Sequence, residues 1–337
     1  MTASFTMPYS KLPSSTLALQ HYCQDKIPGL NTMRRREFLK YTSQSSLGLL
    51  LATPIGLLAS EARRLDNIGL QLFTVDKLLR NDFEETLKKV ATIGYRQVEF
   101  STTGGLQGRS AEEIKALLAE LKLGAPNGRL RPKLPADLMS MPRDQAMKLY
   151  MELAATDKML GNLEAMLPEA KVLGYENIIL SAVPPDEMNS KKALDRLVAL
   201  FNEAGSICQA HGMKFGYHNH DFDFKPVEGI TPFEYLIEKT DSDAVTFQLD
   251  LYWVSKAGKN PAEYLKRYAG RISSCHMKDM AADGSFTDVG NGTIDFPSLT
   301  RMALDSGIKD FFVEHDRPED PMATATNSFI YLHHMHI

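Results

Sequence analysis

From about residue 66 onward, short β-rich runs alternate with longer helical runs along the rest of the chain. The β-rich runs carry aromatic and β-branched residues with alternating apolar and polar positions, a pattern typical of strands. We predict eight strands, and the third has the weakest pattern. They cover residues 67–74, 95–100, 122–130, 176–182, 213–219, 244–250, 271–278 and 309–315.

Glycine and proline mark the ends of the predicted helices between these strands. A glycine suits the backbone conformation in which many helices end, and a proline suits the first helical turn. The closing glycines are Gly94, Gly174, Gly212, Gly270 and Gly307, and the opening prolines are Pro232, Pro261 and Pro297. The long Met-rich stretch from Pro142 to Leu173 predicts two helices between the third and fourth strands.

Eight strands, each followed by a helix, predict an α/β fold of the (β/α)8 TIM barrel type, with residues 66–337 as a single domain. The alternative is a doubly wound open sheet, whose phosphate-binding fingerprint GxGxxG follows the first strand. The chain reads "LQLFTVDKLL" at that place. The barrel is therefore the better prediction.

The N-terminal region has the pattern of an export signal. Residues 34–40 read "RRREFLK", and residues 45–59 form an uncharged apolar run that is short for a membrane span. The small residues of "SEA" then offer a cleavage site, and paired arginines before Phe-Leu-Lys resemble a twin-arginine signal. We predict a signal peptide at residues 33–62, a periplasmic protein, and an unstructured segment or mis-assigned start at residues 1–32.

Composition excludes some classes of partner. The formal net charge of −4 gives no basic surplus for a nucleic acid, and three scattered cysteines form no disulfide framework and no CxxC pair. We expect no stable membrane span after signal removal, and the oligomeric state stays open. The "HHMH" near the C-terminus is predicted to be a frayed, solvated tail rather than a metal cluster.

Polar residues alternate through the predicted strands, most densely in "FGYHNHDFDF" at residues 215–224. In a barrel, one parity faces the axis, and functional residues lie at the C-terminal strand ends. The polar set is thus the inward one. It comprises Gln97, Glu99, His218, His220, Thr246, Gln248, Asp250, Ser274, His276, Lys278 and Glu314.

Four of these residues, His218, Asp250, His276 and Glu314, come from consecutive strand ends and should converge. Each alone is commonly an ordinary polar residue or a loop cap. Together, two imidazoles and two carboxylates suit a divalent metal such as Mn, Co, Zn or Fe, whereas Mg fits less well. Buried neighbouring carboxylates would be costly without a cation. The residues beyond the strand ends or of opposite parity are candidates for the surroundings: Asp221, Asp223, His315 and Asp316.

With these motifs in order, residues 66–320 resemble the xylose-isomerase-like TIM barrels of the sugar phosphate isomerase/epimerase family. The matching pieces are "IGLQLFT", "GYRQVEF", "YHNHDFDF", "QLDLYW", "CHMKD" and "VEHD". The resemblance implies metal ligands from strands five to eight, usually Glu, Asp, His and Glu. They fall here on His218, Asp250, His276 and Glu314. A histidine thus replaces the carboxylate that strand five usually supplies. This replacement puts a two-glutamate epimerase mechanism in doubt. Arg129 stands near a place where strand three often ends in histidine, which weighs against the endonuclease members.

The resulting hypothesis is a metal-dependent isomerase or epimerase that removes a proton next to the carbonyl of a keto-sugar or polyol. Glu314 is the first candidate base, His220 or Glu99 the second, and Lys278 would neutralise an oxyanion. Gln71, Arg129 and Trp253 are candidate substrate contacts. Alternatives are a keto-sugar lyase or dehydratase of the same fold, and an exported sugar-binding barrel without turnover. Export argues for free or glycosidic sugars rather than phosphosugars.

Overall fold

Eight parallel strands lie at the positions that the sequence pattern predicts. The computed structural model describes residues 64–102, 105–135, 141 and 143–337, so the predicted start and signal at residues 1–62 lie outside the described residues. The barrel strands are β1 Ile68–Gln71, β2 Gln97–Glu99, β3 Asn127–Arg129, β4 Asn177–Leu180, β5 Lys214–His218, β6 Val245–Asp250, β7 Ile272–Met277 and β10 Asp310–Val313. A small antiparallel hairpin, β8 Asp279–Met280 and β9 Phe286–Thr287, follows β7 and was not predicted.

The strand order β2-β1-β10-β7-β6-β5-β4-β3 is that of a TIM barrel, with every neighbouring pair parallel. The two ends of this sheet meet through backbone hydrogen bonds. Val98 N donates to Gly124 O, and Gly124 N donates to Arg96 O, both at 2.8 Å. These bonds join β2 to the segment before β3 and bring the sheet to closure, so the predicted fold class is confirmed and the open-sheet alternative is excluded.

Helices cover the outside of the barrel. They are α1 Asp76–Asn81, α2 Phe83–Ile93, α3 Ala111–Leu121, α4 Arg143–Leu153, α5 Thr156–Leu160, α6 Leu163–Leu173, α7 Lys191–Gln209, α8 Pro232–Lys239, α9 Leu251–Lys256, α10 Pro261–Arg267, α11 Phe296–Asp305 and α12 Pro321–His334. Short 3-10 turns lie at Leu72–Val75, Pro185–Met188 and Asp221–Phe224. Within the described part of the chain, no helix has both the length and the apolar character needed to cross a bilayer.

The predicted helix ends are confirmed. All five closing glycines have positive φ, from 76° at Gly212 to 127° at Gly94, a backbone region that other residues enter at a cost. Pro232 and Pro261 begin their helices, and Pro297 lies in the first turn of α11. Ser110 and Glu113 form a capping box on α3, which satisfies free backbone donors at the helix start.

Two local predictions were wrong. The Met-rich stretch holds three helices instead of two, because breaks at Ala154–Ala155 and Gly161–Asn162 divide it. The C-terminal histidines do not lie on a frayed tail. His333 and His334 belong to α12, and Met335 and Ile337 beyond them are buried in the core, since their apolar side chains alternate with the exposed polar ones.

Below the barrel mouth, the large side chain of Phe312 fills the interior beside a glycine, Gly69, on the neighbouring strand. A Cβ built on Gly69 would lie 2.4 Å from the Phe312 ring, so the ring occupies the space that glycine leaves on the neighbouring strand. Phe312 is fully buried, and its ring centroid lies 6.3 Å from that of His276. The aromatic ring therefore forms the packed floor under the polar residues of the mouth.

We expect Gly69→Ala to destabilise the fold by about 1–3 kcal/mol, because the new methyl overpacks the barrel against Phe312. Chemical denaturation measures this change. Gly124→Ala is the matched control, since its Cβ would meet its nearest neighbours at an ordinary 3.8 Å. Adding Phe312→Leu to Gly69→Ala should recover part of the loss. Equal stability of the two alanine variants would contradict this account of the interior.

Candidate metal centre and active site

A cavity of about 190 Å³ opens at the C-terminal ends of the barrel strands. This volume is below the ~300–1,000 Å³ common for drug-sized ligands, and it suits a single small molecule. Six of the predicted site residues line it: Gln71, Arg129, His218, His220, Lys278 and Glu314. Ser101, Thr102, Ser181 and Asp316 add further polar groups to its wall.

The four predicted metal ligands meet beside this cavity, and two of them, His218 and Glu314, line it. His218, Asp250, His276 and Glu314 are all buried, and each offers one nitrogen or oxygen atom within 4.8 Å of the others. His218 Nε2 lies 3.8 Å from Asp250 Oδ2, and His276 Nδ1 lies 3.9 Å from the same oxygen. The convergence that strand parity predicts is therefore present.

The stagger of the strands explains why these four positions reach one place. His218 pairs with Gln248, two residues before Asp250; Asp250 pairs with His276; and His276 pairs with Phe312, two residues before Glu314. Neighbouring strands of a TIM barrel are offset by about one residue each, and inward positions recur every second residue. From one strand to the next, the ligand lies two residues beyond the paired position at two of the three neighbouring strand pairs. This offset compensates for the stagger of the strands and keeps the four ligands at similar depth.

The residues present fit a divalent cation. Asp250 Oδ1 accepts a hydrogen bond from Trp253 N at 3.0 Å, which caps α9. The other oxygen, Oδ2, is buried and accepts no hydrogen bond, although Lys278 Nζ lies 3.3 Å away. A buried carboxylate oxygen without a hydrogen bond is costly, and a metal ion among mixed nitrogen and oxygen ligands removes that cost.

Lys278 is a buried cation beside this group. Its Nζ lies 2.8 Å from Glu314 Oε2 and 2.8 Å from Asp316 Oδ1. Burial alone would lower the pKa of Lys278, but Asp250, Glu314 and Asp316 together raise it. Burial would likewise raise the pKa of Glu314, yet Lys278 and His276 hold it well below its usual range. Both groups are therefore charged.

A second polar layer lies behind the first. Glu99 Oε2 lies 2.8 Å from Arg129 Nη2 and 2.8 Å from His276 Nε2. Burial raises the pKa of Glu99, but Arg129 and His276 outweigh it and lower the pKa to about 2. Burial lowers the pKa of His276, whereas Glu314 and Glu99 on either side raise it to about 9. His276 is thus held between two carboxylates.

Two residues predicted to catalyse or to contact substrate, Glu99 and Trp253, lie off the cavity lining, whereas a third, His220, is part of it. Glu99 is fully buried behind Arg129 and His276, and it is not among the described residues that line the cavity. Trp253 also lies off the lining, with its ring 5.2 Å from Lys278 Nζ and 5.3 Å from the His220 ring. His220 does line the cavity and stacks on Phe222, and burial, followed by the charge of Lys278, lowers its pKa to about 3.

The sequence pattern does not reveal the parts that two residues play in the site. Gln248 is predicted to face inward, and in the structure its side chain is hydrogen-bonded to both polar layers. Asp316, treated as a candidate for the surroundings, is bonded to Lys278 and lines the cavity. The alternation of side chains along β6 is a sufficient signal to place Gln248 on the inward face. Asp316 lies beyond the end of β10, where strand parity no longer predicts direction.

The profile of the xylose isomerase-like TIM barrel family matches residues 87–330. The chain belongs to this family. Among curated relatives in sequence, an inosose dehydratase of Clostridium beijerinckii is 29% identical over 148 residues, which cover 39% of this chain and 48% of that protein. The chain spans about half the length of the curated relatives that it matches.

Solved structures share the family fold. A sugar phosphate isomerase/epimerase from Parabacteroides distasonis has a TM-score of 0.66 at 24% identity, over 79% of this chain and 97% of that one. The IOLI protein with a bound zinc atom has a TM-score of 0.58 at 17% identity, over 80% of this chain and 99% of that one. At these identities the likeness shows the fold.

We expect Arg129→Met to cost about 3–5 kcal/mol of stability, because it leaves the Glu99 carboxylate buried without its cation. Urea denaturation measures the loss, and the double variant Arg129→Met/Glu99→Gln should recover much of it. Arg131→Met is the matched control. Arg131 pairs with Glu169 at 2.6 Å, but both side chains are 21% exposed, so the expected loss is about 1 kcal/mol. Equal losses at the two arginines would contradict the assignment of a buried pair.

Proposed function

We propose that this protein is a divalent-metal-dependent enzyme that removes a proton next to the carbonyl of a keto-sugar or polyol, with isomerisation or epimerisation as the outcome. The observation that carries the proposal is the convergence of His218, Asp250, His276 and Glu314 beside the buried cation Lys278 at a cavity of single-sugar size. The sugar-processing names of the curated relatives and of several fold neighbours support the same class. Zinc in one fold neighbour supports a divalent metal.

A divalent cation held by these four residues would supply Lewis-acid polarisation of a substrate carbonyl, worth several kcal/mol. Glu314 is the base that we assign, because its carboxylate is ionised and faces the cavity. Lys278 Nζ, 2.8 Å from that carboxylate, is in position to donate a hydrogen bond to the oxygen that gains negative charge. Return of the proton to another carbon or face of the enediolate completes the reaction.

The second candidate is a lyase or dehydratase of the same fold, in which the carbanion instead expels a β-substituent. Relatives named inosose dehydratase support it. His218 supports it as well, because a metal-ligating imidazole on β5 replaces the carboxylate that would act as the second base of an epimerase. A sugar-binding barrel without turnover is the third candidate, and solvent exchange at carbon separates it from both enzymes.

An unphosphorylated substrate is part of the proposal. TIM barrels commonly bind phosphate at a helix N-terminus near strands seven and eight. In this chain Asp295 accepts from Ser298 N at 3.2 Å, and Asp320 accepts from Met322 N and Ala323 N at 3.1 and 3.0 Å. The chain's own carboxylates thus accept from backbone donors at the starts of α11 and α12, which supports a substrate without phosphate.

We expect the purified protein to hold about one divalent metal ion per chain and to exchange a carbon-bound hydrogen of an unphosphorylated keto-sugar or keto-inositol with D2O. Asp250→Asn should lose both properties, because it removes an anionic ligand. Elemental analysis and proton NMR measure the two. Asp243→Asn, at an exposed carboxylate in a turn, is the matched control. Metal without deuterium uptake across a broad panel would contradict the enzymatic proposal, whereas loss of a β-substituent would identify the lyase.

We also propose that the protein is exported to the periplasm by the twin-arginine route, on the basis of the "RRREFLK" segment. Cell fractionation should recover the wild type from the periplasm. Arg35→Lys/Arg36→Lys should keep it in the cytoplasm, because that route requires the arginine pair. Arg63→Lys/Arg64→Lys is the matched control, since this second pair lies outside the motif. Periplasmic recovery of the Arg35/Arg36 variant would contradict the proposed route.

A further inference from the structure

Gln248 connects the two polar layers of the site. It is fully buried on β6, two residues before Asp250. Its side-chain Nε2 donates to Glu99 Oε1 and to Ser274 Oγ, both at 3.0 Å. Its Oε1 accepts from Arg129 Nη2 at 2.5 Å. An ionised carboxylate only accepts and a guanidinium only donates, so these two charged neighbours leave the amide a single orientation.

The orientation of this amide decides where His218 carries its proton. His218 Nδ1 lies 3.0 Å from Gln248 Oε1, an oxygen that can only accept. Nδ1 must therefore be the protonated nitrogen, and Nε2 keeps its lone pair. Nε2 is the nitrogen that faces the metal-ligand group, 3.8 Å from Asp250 Oδ2.

We propose that Gln248 is a positioning residue that holds His218 in the Nδ1–H tautomer and so presents Nε2 to the divalent cation of the proposed function, on whose metal site this inference rests. A neutral imidazole has two tautomers, and only one offers a lone pair at Nε2. Hydrogen bonds of this kind, from the second nitrogen of a metal-binding histidine, commonly set both the tautomer and the ring orientation.

The identity of the β5 ligand explains why this chain needs such a residue. A carboxylate at that position would offer lone pairs in several directions and would need no selection between tautomers. A neutral imidazole in its place offers a single lone pair, and an acceptor at the other nitrogen fixes which nitrogen carries it. His218 and Gln248 are thus a functional pair, joined directly across the β5–β6 ladder.

The hydrogen bond between Gln248 and His218 also limits the role of His218 in proton transfer. With its Nδ1 proton bonded to Gln248 and its Nε2 directed at the cation, the ring has no nitrogen left to exchange a proton with a substrate. The β5 residue is then a ligand only, and proton transfer belongs to the other groups at the cavity, Glu314 first among them.

The tautomer can be measured on the full chain without any substitution. In metal-free protein labelled with ¹⁵N-histidine, long-range ¹H–¹⁵N NMR distinguishes a protonated Nδ1 from a protonated Nε2. We expect Nδ1–H for His218, assigned by the signal missing from His218→Gln, and zinc addition should shift Nε2. A proton on Nε2 of His218 in the wild type would overturn the proposal.

Gln248→Met keeps the approximate size of the side chain and removes the acceptor. We expect it to weaken zinc binding about 10–100-fold in a chelator competition assay, and to lose the Nδ1–H signal. Ser274→Ala is the matched control, because it removes a partner of Gln248 and leaves the contact with His218 in place; its zinc affinity should stay at the wild-type value. Wild-type zinc affinity in a folded Gln248→Met protein would overturn the proposal.

Gln248→Glu is a second variant, which tests the proposal if Gln248→Met does not fold. A glutamate still accepts from His218 Nδ1, so the Nδ1–H signal should persist even though the repulsion from Glu99 lowers stability. Its loss in a folded protein would count against the proposal. Because these experiments use zinc and no substrate, their failure is distinct from a failure to find deuterium exchange.

Discussion

The arrangement of side chains at the mouth of this barrel depends on how their buried charges are neutralised. Four carboxylates lie together there, from Glu99, Asp250, Glu314 and Asp316, while Arg129 and Lys278 supply two permanent cations. Two negative charges are left over, and they are carried by side chains that are mostly out of water. A protonated His276 balances one of them, and a divalent cation would balance both. Charge balance and ligand geometry therefore both favour a divalent cation at this site.

This arrangement separates the site into groups that act and groups that hold them. Glu314, Lys278, Asp316 and His220 reach the cavity, whereas Glu99 and Gln248 lie behind and contact only protein. Packing in the second layer is polar and fully paired, with Ser274 and Asn127 continuing it downward. Because Gln248 and Glu99 contact His218 and His276 directly, changes at these two residues alter the first layer.

Much of this could be predicted from the sequence, because two simple periodicities control it. Alternation within strands gave His218, Asp250, His276 and Glu314 one inward face, and the fixed stagger of a barrel made neighbouring faces coincide. The glycines that end helices were equally predictable, since positive φ excludes most other residues. These signals are local and recur throughout the chain.

The remaining features depend on contacts that no local pattern records. Asp316 lies past the end of its strand, so its direction comes from the attraction of Lys278. The parity of Glu99 and the position of Trp253 just after β6 could not reveal that other side chains lie between them and the cavity. The buried end of α12 depends on which apolar side chains find space in the core, a property of the assembled fold.

The aromatic floor formed by Phe312 against Gly69 closes the barrel interior below the polar residues of the mouth. Asp250 and His276 lie above this floor without exposed surface, whereas Glu314 and His218 are slightly exposed and line the cavity. If these four residues hold a divalent ion, a small molecule bound in the cavity would stand between that ion and bulk water. A chelator would then remove the ion more slowly from the occupied protein than from the empty one.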